Sequence, residues 1–349
     1  MADRLAGVPL APYTTLRTGG PARAFTQAQT QDELVAAVAE ADREREPVLV
    51  LGGGSNLVVS DDGFDGLVVR VATRGVDVAV EDGRALVIVQ AGEDWDALVA
   101  RCVAEGWSGV ECLSGVPGLV GSTPIQNVGA YGQDVSQTVA AVRVYDRVTG
   151  EVGDLTAAEC GFAYRDSAFK HDPGRHVVLA VTYALERSPL SGPVAYRELA
   201  ARLGVEIGAR VPLADAREAV LELRRGKGMV LDPDDPDTRS AGSFFTNPVL
   251  GPEEAAALAL RAPGHPRWDL PDGTVKVPAA WLIENAGFPK GYEKGRARIS
   301  TKHTLALTNP SGEAGAAELL ALAREVRDGV HEKFGVWLVN EPVLVGASL

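Results

Sequence analysis

Apolar positions in the first 75 residues alternate between the spacing of a helix and that of a strand. Thr30 and Glu33 form a capping box ahead of an amphipathic run through Ala41, which predicts a helix. Apolar strands are predicted over 48–51, directly before a glycine-rich turn, and over 67–71. This part of the chain is therefore predicted to mix α and β structure.

Strand patterns dominate from residue 76 to about 187. Two alternating segments flank the dipeptide Asp82-Gly83, which is typical of a hairpin turn. Asp94 begins a predicted helix that Gly106 ends, and a long glycine-rich loop then occupies 114–132. Further strands follow that loop.

The last part of the chain mixes both kinds of element. A Pro/Ser/Gly stretch and a helix ending in LRRGKG occupy 188–230. The acidic, proline-containing segment 231–242 is predicted to be an exposed linker or loop. The longest helix is predicted near Ala316–Phe334, where one apolar stripe runs its length and Gly335 stops it.

Composition limits the kind of protein. The 349 residues are 46% hydrophobic and 23% charged, which is globular, and the net charge of −13 disfavours nucleic-acid binding. Three cysteines without metal-ligand spacing argue against a disulfide framework or a metal site, and the histidines show no such spacing either. We see no signal peptide and no apolar run of membrane-spanning length, and expect a cytoplasmic protein.

The first notable loop is LGGGSNLVVSDDGF, residues 51–64. Three glycines after a strand let the backbone approach a ligand, and successive N–H groups suit an anion such as a pyrophosphate. The loop is neither a Rossmann fingerprint nor a P-loop, because Leu57 replaces the last glycine and no Gly-Lys-Ser/Thr follows. A plain tight turn is the alternative, and local chemistry does not separate the two.

The second loop is SGVPGLVGSTPIQNVGAYGQDV, residues 114–135. Its small side chains and many backbone donors suit a segment that lies flat against an aromatic heterocycle. The alternative is an ordinary surface loop. Because long structureless loops are usually functional, two such loops in one chain favour a binding site.

Together the two loops resemble those of the UDP-N-acetylenolpyruvoylglucosamine reductase (MurB) family. The resemblance continues through CGFAYRDSAFK at Cys160, AGSFFTNP at Ala241, KVPAAWLIENAGFPKG at Lys276 and KFGVWLVNEPVLVGAS at Lys333. These segments follow one another in order over nearly the whole chain.

The resemblance implies an α+β fold, in which a two-part FAD-binding domain of the vanillyl-alcohol-oxidase (PCMH) type is joined by a smaller α+β substrate-binding domain. We accordingly expect four segments: FAD-binding subdomain 1 over 1–75, FAD-binding subdomain 2 over 76–230, the substrate-binding domain over 231–338, and a C-terminal segment, 339–349, that returns to the active site.

The resemblance also implies the activity. NADPH reduces a non-covalently bound FAD, which passes hydride to UDP-N-acetylglucosamine enolpyruvate and yields UDP-N-acetylmuramate for peptidoglycan synthesis. By the same resemblance the FAD pyrophosphate is held by Gly52, Gly53, Gly54, Ser55 and Asn56. The rest of the FAD site is implied at Ser114, Gly115, Gly118, Gly121, Ser122, Ile125 and Gln126, with Gly129 and Tyr131 near the flavin ring.

Three residues match the family's catalytic positions. Arg165, in YRDS, can fork onto the substrate carboxylate; its alternative is an ion pair with Asp166 or another acid. Ser243, in GSFF, matches the proton donor; its alternative is a helix cap or turn serine. Glu341 matches the C-terminal glutamate, although Pro342 follows it where many members have valine, and its alternative is an exposed strand acid.

Four further residues match substrate-contacting positions: Tyr196, Lys227, Asn247 and Lys290. Thr246 stands where some members have lysine, so one phosphate contact is in doubt. The basic run at 224–227 also has a simpler explanation, as the cationic C-terminal end of a helix.

Two rival functions remain open at this point. One is another oxidoreductase of the same flavin fold, although 51–64 lacks the His or Cys to which many of those enzymes attach flavin. The other is a nucleotide-sugar-binding protein without enzymatic activity, which would need no flavin and would be colourless.

Overall fold

A computed structural model describes residues 4–349, and the chain forms two compact units. Unit 1 comprises the chain up to Val8, Ala22–Gly53 and Asp65–Arg225. Unit 2 comprises Pro9–Pro21, Gly54–Phe64 and Gly226–Leu349. Each unit is therefore assembled from three separate stretches of sequence. The predicted boundaries at 75, 230 and 338 stay a prediction, since the units follow contacts rather than consecutive segments.

The strands, in chain order, are β1 Leu5–Pro9, β2 Pro21–Ala28, β3 Val48–Leu51, β4 Leu57–Val59, β5 Phe64–Val71, β6 Val76–Glu81, β7 Arg84–Gln90, β8 Trp107–Ser108, β9 Gly129–Ala130, β10 Gln133–Asp134, β11 Val139–Asp146, β12 Glu151–Thr156, β13 His176–Arg187, β14 Val249–Leu250, β15 Trp268–Asp269, β16 Val275–Lys276, β17 Glu293–Lys294, β18 Ala297–Ile299, β19 Leu307–Thr308 and β20 Val343–Val345. The α-helices are α1 Gln31–Glu44, α2 Trp95–Ala104, α3 Ala168–His171, α4 Arg197–Leu203, α5 Leu213–Gly226, α6 Pro252–Arg261, α7 Ala279–Ala286 and α8 Ala316–Phe334. Short 3-10 turns cover Ala11–Tyr13, Glu111–Leu113, Val120–Ser122, Val135–Gln137 and Pro236–Thr238.

Unit 1 contains two larger sheets and the two-stranded β9–β10 sheet. The first has the strand order β1-β2-β5-β3, and its β3 and β5 are parallel. The second has the order β12-β11-β13-β7-β6, with β8 also on β13, and all its pairs are antiparallel. Alternating apolar residues of these strands and of α1 and α2 are buried together, with Trp95 and Tyr183 in ring contact at 5.7 Å. The strand periodicity thus builds one core that fixes the intervening loops.

Unit 2 is built from short sheets and the helices α6, α7 and α8. Strands β14, β16 and β15 form one sheet, β17, β18 and β19 another, and β4 pairs in parallel with β20. The apolar stripe of α8 packs with α7 and with Phe244 and Phe245 in a second core. Asp61 accepts the first-turn N–H groups of Ala316 and Ala317 at 2.7 and 2.9 Å, which caps α8 with a carboxylate where the helix dipole favours negative charge.

Most of the predicted elements are confirmed. Thr30 Oγ1 accepts the N–H of Glu33 at 3.1 Å at the start of α1, and Asp94 caps α2. The Asp82-Gly83 turn, with both φ angles positive, joins β6 to β7. Helix α8 spans Ala316–Phe334 and ends at Gly335, whose φ of 73° closes it in the left-handed conformation.

The prediction of an exposed linker over 231–242 is wrong for its second half. Asp237 is buried and receives hydrogen bonds from Arg298 Nη2 at 3.1 Å and from Thr301 N at 3.2 Å. Burial by itself raises the pKa of Asp237, but the hydrogen bonds from Thr301 and Arg298 hold it below its ordinary value. The acidic segment is therefore a structural anchor of unit 2. Helix α4, Arg197–Leu203, was not predicted.

Candidate active site

The two glycine-rich loops contact each other within unit 1. A Cβ added at Gly52 would lie 2.9 Å from Ser122 Oγ, and one at Gly53 would lie 2.8 Å from Gly118 Cα. Real Cβ atoms do not approach backbone so closely, so glycine is required for this contact. The residues that the resemblance places at the FAD pyrophosphate and those that it places along the rest of the FAD site are therefore in contact.

The second loop is held by side chains beneath it. Ser114 and Gly115 are buried; the Ser114 hydroxyl donates to Glu111 O at 2.6 Å and the Gly115 N–H donates to Asp96 at 2.6 Å. Arg217 binds both oxygens of Asp96, at 2.7 and 2.9 Å. Burial raises the pKa of Asp96, but the Arg217 and Gly115 hydrogen bonds outweigh it and lower the pKa overall.

In the same loop Gly121 donates its N–H to Ala91 O at 2.9 Å, and a Cβ there would meet Ala91 Cβ at 2.6 Å. Ser122 and Gln126 are half-buried, and Ile125 is exposed. The glycines and small side chains of this loop allow a flat heterocycle to come close to its backbone. These residues fit a bound flavin nucleotide.

The first loop continues into unit 2 at Gly54. Gly54 has a φ of 61°, and a Cβ there would lie 2.0 Å from Tyr13 O, so no other residue fits. Ser55 and Asn56 follow it. Asn56 O accepts the N–H of Val343 at 2.9 Å, and Asn56 Nδ2 donates to Glu341 O at 3.4 Å. The asparagine that the resemblance places at the pyrophosphate and the C-terminal glutamate are therefore neighbours in unit 2.

Ser243 lies beside the same C-terminal segment. It directly precedes Phe244, whose carbonyl accepts the N–H of Glu341 at 2.9 Å. Phe245 forms a bridge with Asn340, and both phenylalanines are buried. Ser243 and Glu341 themselves are half-buried. Unit 2 thus brings together Asn56, Ser243 and Glu341 on adjacent segments, and Ser243 caps no helix.

Arg165 lies in a tight turn of unit 1, in the left-handed conformation with a φ of 54°. Its Nη2 donates to Gly129 O at 2.7 Å and its Nη1 to Asn127 O at 3.5 Å. The neighbouring Asp166 pairs with His171 at 2.7 Å. The arginine expected to bind the substrate carboxylate is therefore attached to the glycine-rich loop that is expected to contact the flavin ring.

Tyr196 and Tyr131 meet in unit 1. Tyr196 is exposed and precedes α4, and its ring packs edge-on against that of Tyr131, with centroids 5.4 Å apart. Arg224 of α5 is buried; burial lowers its pKa to about 10, while Tyr131 and Asp96 act in the opposite direction. The basic run is thus more than a solvated helix end, because one of its arginines faces inward.

The remaining predicted substrate residues belong to unit 2. Lys227 is half-buried, two residues beyond Arg225, which pairs with Glu218 at 2.9 Å. Asn247 Oδ1 accepts the N–H of Ala279 at 2.9 Å and so caps α7. Lys290 is exposed. Asn247 therefore has a structural bond that its predicted role did not include.

Other chemistry is limited in the described part of the chain. Cys102, Cys112 and Cys160 are buried and free, and burial raises their thiol pKa values to about 12, 12 and 11. Within 4–349, no cluster of three or more His, Cys, Asp or Glu side chains is arranged to hold a metal ion. No helix in this range is long and apolar enough to cross a membrane.

Comparison with known proteins defines the class first. Residues 22–156 match the family model for an FAD binding domain, and residues 234–345 match that for the C-terminal domain of UDP-N-acetylenolpyruvoylglucosamine reductase. The chain is thus an FAD-binding α+β protein with a two-part flavin domain and a further α+β domain, as predicted.

Its relatives narrow the class to one family. The UDP-N-acetylenolpyruvoylglucosamine reductases of Thermobifida fusca (strain YX) and Streptomyces coelicolor are 59% and 57% identical to it. The alignments cover 98% of this chain and 98% of the first relative, and 99% and 91% for the second. The crystal structure of the Thermus caldophilus enzyme aligns over 99% of both chains with a TM-score of 0.68 and 27% identity. This chain belongs to the UDP-N-acetylenolpyruvoylglucosamine reductase family.

Membership of that family confirms the predicted resemblance and decides against both rival functions. Two buried polar residues were not predicted from the sequence: Glu111, just before the second loop, and Asn127, within it. The one available signal was Asn127 itself, because asparagine in a glycine-rich loop is typical of a left-handed backbone position.

Proposed function

We propose that this protein catalyses the FAD-dependent, NADPH-driven reduction of UDP-N-acetylglucosamine enolpyruvate to UDP-N-acetylmuramate in peptidoglycan precursor synthesis. The contact between the two glycine-rich loops at Gly52, Gly53, Gly118 and Ser122 supports it most directly, because it creates a backbone surface for a flavin dinucleotide within a chain of this family. FAD held at these loops would supply two-electron, hydride-transfer chemistry between NADPH and the substrate.

The chemistry of the substrate defines what the protein must supply. Hydride adds to the alkene carbon farther from the carboxylate. The other alkene carbon, which is bonded to the carboxylate, is then left with negative charge that is delocalised into the carboxylate. The site therefore needs a cation at the carboxylate and one acid at the developing carbanion. It must also limit the access of water while that charge exists.

We assign these roles to three side chains. Arg165 binds the substrate carboxylate, since a guanidinium forks onto it and keeps its charge at every relevant pH. Ser243 delivers the proton to the carbon beside the carboxylate; a serine is a weak acid, but an enolate-like carbon is basic enough to take its proton. Glu341 is assigned to the substrate as well. Its backbone bond to Phe244 O, at 2.9 Å, supports a shared function with Ser243.

The UDP-sugar diphosphate needs positive charge and donors that this acidic protein can provide only locally. We assign Tyr196 and Lys227 to it, and Asn247 and Lys290 to other contacts with the substrate. Tyr196 is exposed and rests on Tyr131, so it is accessible to a ligand. NADPH and UDP-sugars are cytoplasmic metabolites, and we place the reaction in the cytoplasm.

Ser243→Ala tests the assignment of the proton donor. The reduction of FAD by NADPH involves no substrate carbanion, so only the second half-reaction needs the acid. We expect FAD binding and reduction to stay near wild type, while reoxidation by the enolpyruvyl sugar slows by about 10²–10⁴. Anaerobic stopped-flow at the flavin absorbance measures each half.

Ser311→Ala is the matched control, because Ser311 is an exposed turn serine of the same unit. Ser243→Cys should recover part of the rate, since a thiol is a stronger acid. Equal slowing of both halves by Ser243→Ala would make the residue structural. A purified protein that is colourless and takes up no FAD would refute the whole function.

A further inference from the structure

Asn127 is a buried polar residue at the centre of the second glycine-rich loop. Only 4% of it is exposed, and its φ of 47° places it in the left-handed region. Asparagine tolerates this backbone conformation better than other residues with a Cβ. The chain therefore retains a side chain at a position where glycine would be easier, which suggests that the side chain itself is needed.

Both polar atoms of that side chain are in use. Asn127 Nδ2 donates to Ala163 O at 3.0 Å, and Asn127 Oδ1 accepts the N–H of Ser136 at 3.1 Å. Ala163 stands two residues before Arg165, and Ser136 follows the β9–β10 hairpin. One amide thus connects the glycine-rich loop to the turn that carries the arginine and to the segment after the hairpin.

The Arg165 turn has a strained backbone and contacts from outside it in addition to its own hydrogen bonds. Ala163 and Asp166 exchange two backbone hydrogen bonds, 3.0 and 3.2 Å long, around a left-handed Arg165. A non-glycine residue in that conformation is strained by about 1–2 kcal/mol. Contacts from outside must therefore hold the turn. The Ser167 hydroxyl supplies one by donating to Ile125 O, and Asn127 supplies another.

The guanidinium of Arg165 depends on the same loop. It donates to the carbonyls of Gly129 and Asn127, so Asn127 contacts the turn through its side chain and the arginine head through its backbone. A shift of the 163–166 turn would move the guanidinium relative to these carbonyls. The position of the charge is thus determined at two points, and Asn127 contributes to both.

We propose that Asn127 is the positioning residue for Arg165: its amide holds the strained 163–166 turn so that the guanidinium points to the substrate carboxylate. This inference rests on the proposed role of Arg165. Asn127 itself is assigned no contact with the substrate.

The experiment compares Asn127→Gly with Asn127→Asp in the holoenzyme. Glycine keeps the left-handed backbone but loses both side-chain bonds. Aspartate keeps an oxygen that accepts the N–H of Ser136. Its second oxygen replaces the amide nitrogen and repels the carbonyl oxygen of Ala163. We expect both variants to bind FAD and to be reduced by NADPH within about threefold of wild type. Reoxidation by the enolpyruvyl sugar should slow about 10- to 100-fold, and the dissociation constant of that sugar should rise, as loss of a buried hydrogen bond predicts.

Asn309→Gly is the matched control. Asn309 is buried in unit 2, and its amide donates to Leu16 O and Ala314 O, each at 3.0 Å. It should lower the melting temperature without changing the ratio of the two half-reactions. Asn127→Gly must change that ratio; if it lowers both rates alike, or neither, the inference is overturned.

Arg165→Lys separates this inference from the proposed function. If Arg165→Lys slows reoxidation and weakens sugar binding while the Asn127 variants do not, the inference fails and the role of Arg165 stands. If Arg165→Lys leaves both quantities unchanged, the proposed role of Arg165 fails, and the positioning role fails with it.

Discussion

Glu111 offers the sharpest test of how the second loop is supported, because its carboxylate is fully buried in unit 1. Glu111 Oε1 accepts hydrogen bonds from Gln133 Nε2 at 2.9 Å and from Gly192 N at 2.6 Å, and Oε2 accepts one from Gly109 N at 2.7 Å. All three partners are donors. The orientation of the Gln133 amide is fixed in turn, because its Oε1 accepts the N–H of Cys112 at 2.8 Å. One carboxylate therefore joins three chain segments.

The size of the effect follows from the donors left behind. In Glu111→Gln the new amide can keep one oxygen for two donors, but its NH₂ group then faces the N–H of Gly109. One buried donor without an acceptor costs about 1–3 kcal/mol. In Glu111→Ala all three donors lose their acceptor, and we expect a loss of at least about 3 kcal/mol even if water enters the space. Gly192 begins the segment 192–196, which leads to Tyr196, so this segment should become mobile first.

Urea unfolding followed by circular dichroism measures the loss of stability, and hydrogen exchange at Gly192 measures the loosening. Glu186→Gln is the matched control, since Glu186 is exposed and pairs with Arg210 at 3.2 Å on the surface. That change should stay within about 0.5 kcal/mol. If Glu111→Gln is as stable as Glu186→Gln, and exchange at Gly192 is unchanged, the carboxylate does not organise these segments.

The other two predictions concern the loop contact and the anchor of unit 2. Gly53→Ala places a methyl group against the backbone of Gly118, so we expect the free energies of apoprotein unfolding and of FAD binding to lose about 1–3 kcal/mol between them. Gly153→Ala, at a strand position with open space around it, is the control. Wild-type values of both quantities in Gly53→Ala would show that the loops do not touch. Asp237→Asn should destabilise the protein by about 1–3 kcal/mol at pH 7. Because the pKa of Asp237 is lowered in the folded protein, its carboxylate stabilises the fold above about pH 4, and this stabilisation is lost as the pH falls through the folded pKa. The difference in urea midpoint between wild type and Asp237→Asn should therefore be smaller at pH 3 than at pH 7. An equal difference at both pH values would contradict this.

Local patterns in the sequence were sufficient for much of the fold. The Asp82-Gly83 hairpin is determined by two adjacent residues, and the helix at Ala316–Phe334 by a regular spacing of apolar residues. Both can therefore be predicted from the sequence. The two glycine-rich loops were also visible in the sequence, although local chemistry alone left an ordinary turn or surface loop as the alternative. Family resemblance then identified the chemistry, which spacing alone left open.

Long-range polar contacts account for what the sequence did not show. Asp237 lies in a run of acids and prolines that is typical of an exposed linker, yet it is buried and accepts hydrogen bonds from Arg298 and Thr301. Glu111 and Asn127 look equally ordinary, because their partners lie up to 81 residues away in sequence. Whether a polar residue is solvated or buried depends on partners that only the folded chain brings near it.

The pairing of β4 with β20 has a consequence for the order in which the protein folds during synthesis. Asn56 and Glu341, whose contact lies beside this pairing, are 285 residues apart in sequence. At about 5–20 residues per second, the ribosome needs roughly 15–60 seconds to make the distance between them. During that interval β4 has no strand to pair with, whereas every stretch of unit 1 is complete once Arg225 has been made. A nascent chain should therefore protect the sheets of unit 1 from proteases well before β4, and arrested chains that end near residue 230 would show the difference.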